Sequence, residues 1–264
     1  MITPQTNRRS FLRRAACVPA LGLPGGAAIA AATPHGQHEP LPVSTFSIVA
    51  FDERTGDLGV AVQSRFFGVG TVVPWARANV GAVATQSYAN VRYGPAGLDL
   101  LAAGSAPEEA LEQMTGPDEG RAKRQAAIVD ASGRTAAHSG SECLPWFGDI
   151  EGRHFSVQGN LLTGEDVVTA MAAAFEKARK SEQDGLGHWL VASLAAGQEA
   201  GGDRRGQQSA ALLVVRENGG YDRANDRFID LRVEDYPLPI RELARLLDLH
   251  RRFYASAHEH PPRR

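Results

Sequence analysis

The chain has 264 residues, 28 basic against 30 acidic, and is 43% hydrophobic, enough for one globular domain with a substantial core. Basic side chains are interspersed with acidic ones and no aromatic-basic stripe marks a nucleic-acid groove, so nucleic acid is excluded as an expected partner. With only Cys17 and Cys143, neither a disulfide framework nor a metal site of the paired-cysteine kind is expected.

Asn7-Arg8-Arg9-Ser10-Phe11-Leu12-Arg13 resembles a twin-arginine export signal. The run that follows, Ala15 to Ala32, is only mildly apolar and is broken by Pro19, Pro24, Gly25 and Gly26, so it is too weak for a membrane span of about 20 apolar residues. Residues 1–32 are therefore expected to be a signal peptide, with small-residue cleavage sites at Ala28-Ile29-Ala30 and Ala30-Ala31-Ala32. Export to the periplasm or beyond follows, with no stable membrane insertion once the signal is gone. Subtracting the four arginines of this leader from 28 leaves 24 basic residues against 30 acidic ones, a formal charge of about −6. Cys143 is then the sole cysteine of the mature chain and reads as a small buried apolar group.

Residues 33–44 form a polar, proline-bearing linker or propeptide, and Thr45 opens the strand Thr45 to Asp52. A threonine at a chain start carries its own general base, because an α-amine with a pKa of about 7.7 to 8.0 can take the proton from its hydroxyl. While the Ser44-Thr45 bond is intact that nitrogen is an amide and no base; the plainer alternative is an ordinary β-branched strand residue. Asp57 to Ser64 returns after the turn Glu53 to Gly56. Facing Asp52 with Asp57 sets Thr45 opposite Ser64, about 4.5 to 5.5 Å apart at Cβ, with Gln63 and Arg65 beside them.

The remaining elements follow in order. A strand is predicted over Asn79 to Ser87, ending in the polar aromatic loop Tyr88 to Pro95. Helices are predicted over Ala96 to Ala103 and Pro107 to Met114, the second with Ser105 and Glu108 as a capping box. Gln125 to Asp130 and Thr135 to Ser139 read as a hairpin about Ala131 to Arg134, followed by the strand Phe155 to Asn160. Helices over Glu165 to Arg179 and Leu186 to Ala200 precede strands over Ser209 to Arg216 and Arg227 to Val233, joined through Asn218-Gly219-Gly220. An amphipathic helix from Leu238 to Tyr254 closes the domain (45–254), and 255–264, with His258 and His260, is expected to be a flexible tail. Antiparallel hairpins with helix pairs between them predict an α+β sandwich of packed antiparallel sheets covered by helices, rather than a parallel doubly wound sheet.

There is no Gly-x-Ser-x-Gly elbow, phosphate-binding glycine loop, His-Glu-x-x-His or spaced dinucleotide glycines, so no cofactor and no metal is expected. What remains is a set of polar strand ends: Gln86-Ser87-Tyr88-Ala89-Asn90, Gln158-Gly159-Asn160 and the glycine-rich run Gly201 to Ser209. Glycine turns let backbone approach a ligand, and amide side chains can donate to a developing oxyanion. Asn160, after the strand-end glycine, is the candidate oxyanion donor. Arg205 is the candidate for holding a substrate carboxylate, fixed by Asp203 on the same face of an extended stretch. Thr45, Asn160 and Ser64 are thus the candidate catalytic residues. Arg65, Gln86, Tyr88, Asn90, Gln158, Asp203, Arg205 and Ser209 are the candidate substrate-binding ones.

The strand Thr-Phe-Ser-Ile-Val-Ala-Phe-Asp, the run Gly-Ala-Val-Ala-Thr-Gln-Ser-Tyr-Ala-Asn with Tyr93-Gly94-Pro95, Val-Gln-Gly-Asn and GGDRRGQQSAALLVV together resemble an uncharacterised bacterial family. It is the domain-of-unknown-function 1028 family, placed in the Ntn-hydrolase superfamily, and the resemblance spans about 45–250. It implies a four-layer αββα sandwich of antiparallel sheets and an amidohydrolase whose nucleophile is the threonine matching Thr45. The expected substrate is a small-molecule or peptide-like amide, such as an N-acyl amino acid, and homo-oligomerisation is left open. Because residues 33–44 separate the signal from Thr45, exposing the amine requires a second cut, for which attack of the Thr45 hydroxyl on the Ser44 carbonyl is one route; the alternative is that Thr45 stays internal and the amidase mechanism fails. Two other classes stay open: a catalytically silent binding or scaffold domain of the cell envelope, and a serine or metal hydrolase using Ser47, Ser64 or the histidines. Ser47 shares the strand face of Thr45.

Overall fold

The structure, a computed structural model, describes residues 43–181 and 183–259, the last five as backbone only. The expected signal peptide, most of the 33–44 linker and the tail beyond Glu259, with His260, lie outside the described residues. Among the described residues ten strands and five α-helices follow one another: β1 (Thr45–Asp52), β2 (Asp57–Ser64), β3 (Pro74–Arg77), β4 (Gly81–Ser87), α1 (Tyr93–Ala102), α2 (Pro107–Thr115), β5 (Arg124–Asp130) and β6 (Thr135–Ser139). The second half holds β7 (Gly148–Gly152), β8 (Phe155–Gly159), α3 (Asp166–Ala178), α4 (Leu186–Glu199), β9 (Ser209–Val215), β10 (Arg227–Val233) and α5 (Pro239–Glu259).

Two antiparallel sheets result, one in the order β10-β9-β2-β1-β8-β7 and the other β3-β4-β5-β6. Their two-residue side-chain period divides the core into three layers. Phe46, Ile48 and Ala50 of β1, Leu212 and Val214 of β9 and Val157 of β8 face α3, α4 and α5. The alternate residues Val49, Val60, Val62 and Ala211 meet Ala82, Ala84, Ala127 and Val129 of the smaller sheet. On that sheet's far side Val83, Ala126 and Ile128 pack under Leu98, Leu101 and Leu111 of α1 and α2. The chain is therefore an α+β, αββα sandwich. Gly197 lets α3 and α4 close over β1, since a Cβ there would stand 2.6 Å from Met171 Cγ.

The β1–β2 register agrees with the sequence: Asp52 faces Asp57 and Thr45 faces Ser64. Other expectations are corrected. β3 and β7 were not anticipated, because Pro74-Trp75-Ala76-Arg77 and Gly148-Asp149-Ile150-Glu151-Gly152 carry weak strand composition and are held by pairing to β4 and β8. β4 begins at Gly81 rather than Asn79, whose φ of 60° belongs to a turn. Helix α1 starts at Tyr93 rather than Ala96, and Pro95 fits in its first turn, where no backbone donor is needed. The α2 cap lies one residue later than Ser105 and Glu108: Glu109 Oε2 accepts from the Ala106 N–H at 3.2 Å. β8 ends at Gly159, leaving Asn160 just outside it, and α5 continues past Tyr254 to Glu259.

Candidate functional site

The layer between the sheets is apolar along most of its length and amide-rich at the end where β1 begins. Thr45 and Ser47 of β1, Ser64 of β2, Gln86 of β4, Gln125 of β5 and Gln158 of β8 all continue the strand faces that elsewhere carry Val49, Val62, Ala84 and Ala127 into this layer. All six are fully buried. Buried amides must be paired, and these are. Gln158 Nε2 donates to Ser47 Oγ, which donates to Gln86 Oε1, each at 2.6 Å. Gln86 Nε2 donates to Gln125 Oε1 at 2.8 Å and Gln125 Nε2 to the Gly159 carbonyl at 2.9 Å. The network ties the two sheets together directly beneath Thr45, whose carbonyl accepts from the Asn160 N–H at 3.0 Å and from Gln86 Nε2 at 3.4 Å.

Above this floor lies the peptide bond that precedes Thr45. Two donors converge on the Ser44 carbonyl oxygen: Ser64 Oγ and, at 2.9 Å, Arg205 Nη2. Thr45 Oγ1 lies 3.2 Å from Ser64 Oγ and 2.6 Å from the Val43 carbonyl, to which it donates. Val43 in turn exchanges both backbone hydrogen bonds with Ser87, at 2.6 and 3.0 Å. Ser87 ends β4 at a φ of 66°, a conformation costing a non-glycine residue about 1–3 kcal/mol.

Arg205 reaches Ser44 because of the glycine run. Gly201, Gly202 and Gly206 adopt φ values of 122°, 58° and 100°, which a side chain would resist. Asp203 and Arg205 therefore sit on a turn and not on the extended stretch expected. They nevertheless meet: Asp203, 2% exposed, accepts from the Arg205 backbone N–H at 2.8 Å, from its Nε at 3.1 Å and from its Nη2 at 2.8 Å. A guanidinium so paired is positioned and largely neutralised. The geometry thus assigns Arg205 to a carbonyl rather than to a substrate carboxylate.

The other sequence candidates divide. Asn160 is buried at the site, but its Nδ2 donates to Gln125 Oε1 at 3.0 Å, so its place is in the amide floor; its Oδ1 has no partner among the described residues. Ser209 pairs with Ser64 across β2 and β9, yet its hydroxyl donates to the Phe66 carbonyl and accepts from the Val69 N–H, holding a loop. Arg65 donates its backbone N–H to Asp203 Oδ2 at 3.4 Å. Its exposed side chain lines an open surface hollow of about 310 Å³ with Gln207, Gln208, Asp235, Tyr236 and Pro237, which none of Thr45, Ser64 and Arg205 lines. Tyr88 and Asn90 belong to a knot around Asp118: Arg124 Nη1 donates to the Tyr88 carbonyl, while Asn90 Nδ2 and the Tyr93 hydroxyl donate to Asp118 Oδ2 at 3.0 and 2.8 Å. Burial disfavours the Asp118 charge, but the donors of Arg124, Tyr93, Asn90 and the Gly120 N–H outweigh it and hold the carboxyl well below the usual range. Burial, with the adjacent Asp118, pushes the Tyr93 phenol up. Sequence reasoning passed over Gln125 and Val43, and named Ser87 and Ser44 only as part of a polar strand end and as the residue before the expected cut. A glutamine opening the apolar strand Gln125-Ala-Ala-Ile-Val was the one available signal.

No described histidine contacts Thr45, Ser47 or Ser64. His138 bonds to the Arg121 carbonyl, His154 packs on Phe51, His188 lies 3.8 Å from Asp248, and His250 stacks with Phe228 and Tyr254. Among the described residues no cluster of three metal-binding side chains occurs. Cys143 is free and buried, and burial raises its thiol pKa.

Residues 45–243 match the model of a family of unknown function, DUF1028. The chain belongs to this family. A Silicibacter pomeroyi protein of the same family, known from a crystal structure, is 33% identical, with a TM-score of 0.69; the match covers 78% of this chain and 85% of that one. No curated protein matches the chain. The family boundary at Thr45 coincides with the start of β1.

Proposed function

We propose that this member of the family is an N-terminal-nucleophile amidohydrolase, related to the Ntn hydrolases, that matures by cutting its own Ser44-Thr45 bond. The supporting observation is the convergence of Ser64 Oγ and Arg205 Nη2 on the carbonyl of that bond, next to a threonine hydroxyl. Two fixed donors on one carbonyl are the arrangement that stabilises negative charge on its oxygen when a nucleophile adds. In maturation, Thr45 Oγ adds to the Ser44 carbonyl carbon and the C–N bond breaks. The Thr45 nitrogen leaves as an amine carrying the hydroxyl's proton, and water hydrolyses the resulting Ser44 ester to a carboxylate and the free threonine.

In catalysis the exposed amine takes the hydroxyl proton and passes it to the leaving amine. Ser64 and Arg205 then serve the substrate carbonyl. Because Asp203 neutralises Arg205, the reading favours a neutral amide or peptide over an anionic acyl group. On this reading the expected export leader carries the activity out of the cytoplasm. A second reading, a silent binding domain, rests on the 2.6 Å bond from Thr45 Oγ1 to the Val43 carbonyl, which satisfies that hydroxyl as a core threonine would be satisfied.

Intact-mass measurement on exported protein tests the proposal. A chain starting at Thr45 has 264 less 44, or 220, residues, and a Thr45→Ala chain should retain its linker. Thr45-dependent turnover of an amide panel by the cut protein completes the test. A wild-type chain still carrying residue 44 sinks the proposal.

A further inference from the structure

We infer that the seat of Val43 and Ser44 is the acyl-side subsite for a peptide substrate, read as an added β-strand. The inference rests on the hydrolase reading above, since maturation empties the seat. Three features of the seat define what fits. First, β3 pairs with β4 only as far as Ala84, and beyond it Val43 takes the free edge by exchanging both backbone hydrogen bonds with Ser87. Main-chain pairing of this kind recognises an extended peptide irrespective of its side chains. Second, the Val43 side chain, 4% exposed, packs into the apolar cluster between the sheets with Val49, Val62 and Ala84. Third, Ser44 is completely buried, and its hydroxyl has no partner among the described residues. A position closed so tightly around serine admits a small side chain and resists a large one.

The left-handed φ of Ser87 is the fourth observation. It is a strained backbone position at a residue whose N–H and C=O both bond to the bound segment. The substrate class that follows is an extended, uncharged peptide. Its scissile carbonyl belongs to a small residue, and the residue before that is apolar and β-branched. Thr45 Oγ bonds to that carbonyl carbon while the peptide C–N bond breaks. The hydroxyl proton travels through the Thr45 amine to the departing amine, and water then releases the peptide acid and restores the hydroxyl.

The test uses exported protein whose mass shows it to begin at Thr45. The probes are acetyl-Leu-Pro-Val-Ser p-nitroanilide, its analogue methylated on the valine nitrogen, its analogue with phenylalanine for serine, and p-nitrophenyl acetate, which is too short to reach the seat. The parent anilide should be turned over in a Thr45-dependent manner. Each analogue should lose at least about tenfold in kcat/KM, methylation because it removes a backbone donor and crowds the Ser87 carbonyl. Acetate ester turnover should be Thr45-dependent. Equal kcat/KM for the three anilides, or Thr45-dependent ester turnover with no anilide turnover, overturns the subsite and leaves the hydrolase standing. A chain that retains Val43 and Ser44 after export overturns both, since its own segment then fills the seat permanently.

Discussion

Replacing Ser64 by alanine isolates one of the two donors on the Ser44 carbonyl. The side chain is fully buried, lies opposite Thr45 in the β1–β2 register, and donates to no other group among the described residues. Alanine fills most of its volume, and Arg205 Nη2 still satisfies the carbonyl in the resting chain at 2.9 Å. The ground state therefore loses about 0.5–1.5 kcal/mol, the net worth of one hydrogen bond. The oxyanion formed when Thr45 adds loses more, because its charge concentrates on the oxygen the hydroxyl contacts. Removal of one such donor costs about 2.7–4 kcal/mol, or about 10² to 10³ in rate. The cut at Ser44-Thr45 should slow by that factor while the thermal midpoint moves little. A time course of intact mass on freshly synthesised full chain reads the rate, and thermal unfolding reads the fold. A folded Ser64→Ala chain that cuts at the wild-type rate refutes the reasoning, because a donor without effect on the rate does not stabilise the transition state.

Arg205→Lys keeps the charge but loses the planar fork that reaches Asp203 and Ser44 together, so it should slow the same cut by at least tenfold in the same time course. Ser47→Ala should leave cutting in place but lower stability by about 1–3 kcal/mol in urea titration, because it orphans Gln86 Oε1 and Gln158 Nε2 in the buried floor. The lowered pKa of Asp118 contributes stability that is present above the ordinary carboxylate value of about 3.9 and is lost as pH falls below it. Unfolding midpoints between about pH 2 and 7 should show this acid limb flattened in Asp118→Asn. The raised Tyr93 pKa acts at the other end, its contribution intact below about pH 10 and lost as pH rises further.

Antiparallel hairpins with helix pairs between them marked the sandwich in the sequence, because turn clusters and the apolar runs they join are local signals. The turn Glu53 to Gly56 was equally local: it fixed the register, and the register put Ser64 beside Thr45. Where local composition was weak, as in β3 and β7, strands formed only because a neighbouring edge was there to pair with. The candidate site divides in the same way. Thr45, Ser64, Gln86 and Gln158 were legible as polar residues at strand ends, since each sits where its own strand's apolar face stops. Beyond the Thr45–Ser64 pair, their partners were not legible. Gln125 joins the floor from the opposite sheet, and Arg205 reaches the Ser44 carbonyl across 161 positions of sequence. Asn160 was singled out for its place after a strand-end glycine and Arg205 for its spacing from Asp203; the packing sets the Asn160 amide against Gln125 and turns Arg205, held by Asp203 as expected, toward the Ser44 carbonyl. Sequence periodicity states which way a side chain points. Which group it meets depends on how two sheets stack and where a glycine turn aims its arginine, and only the tertiary structure decides that.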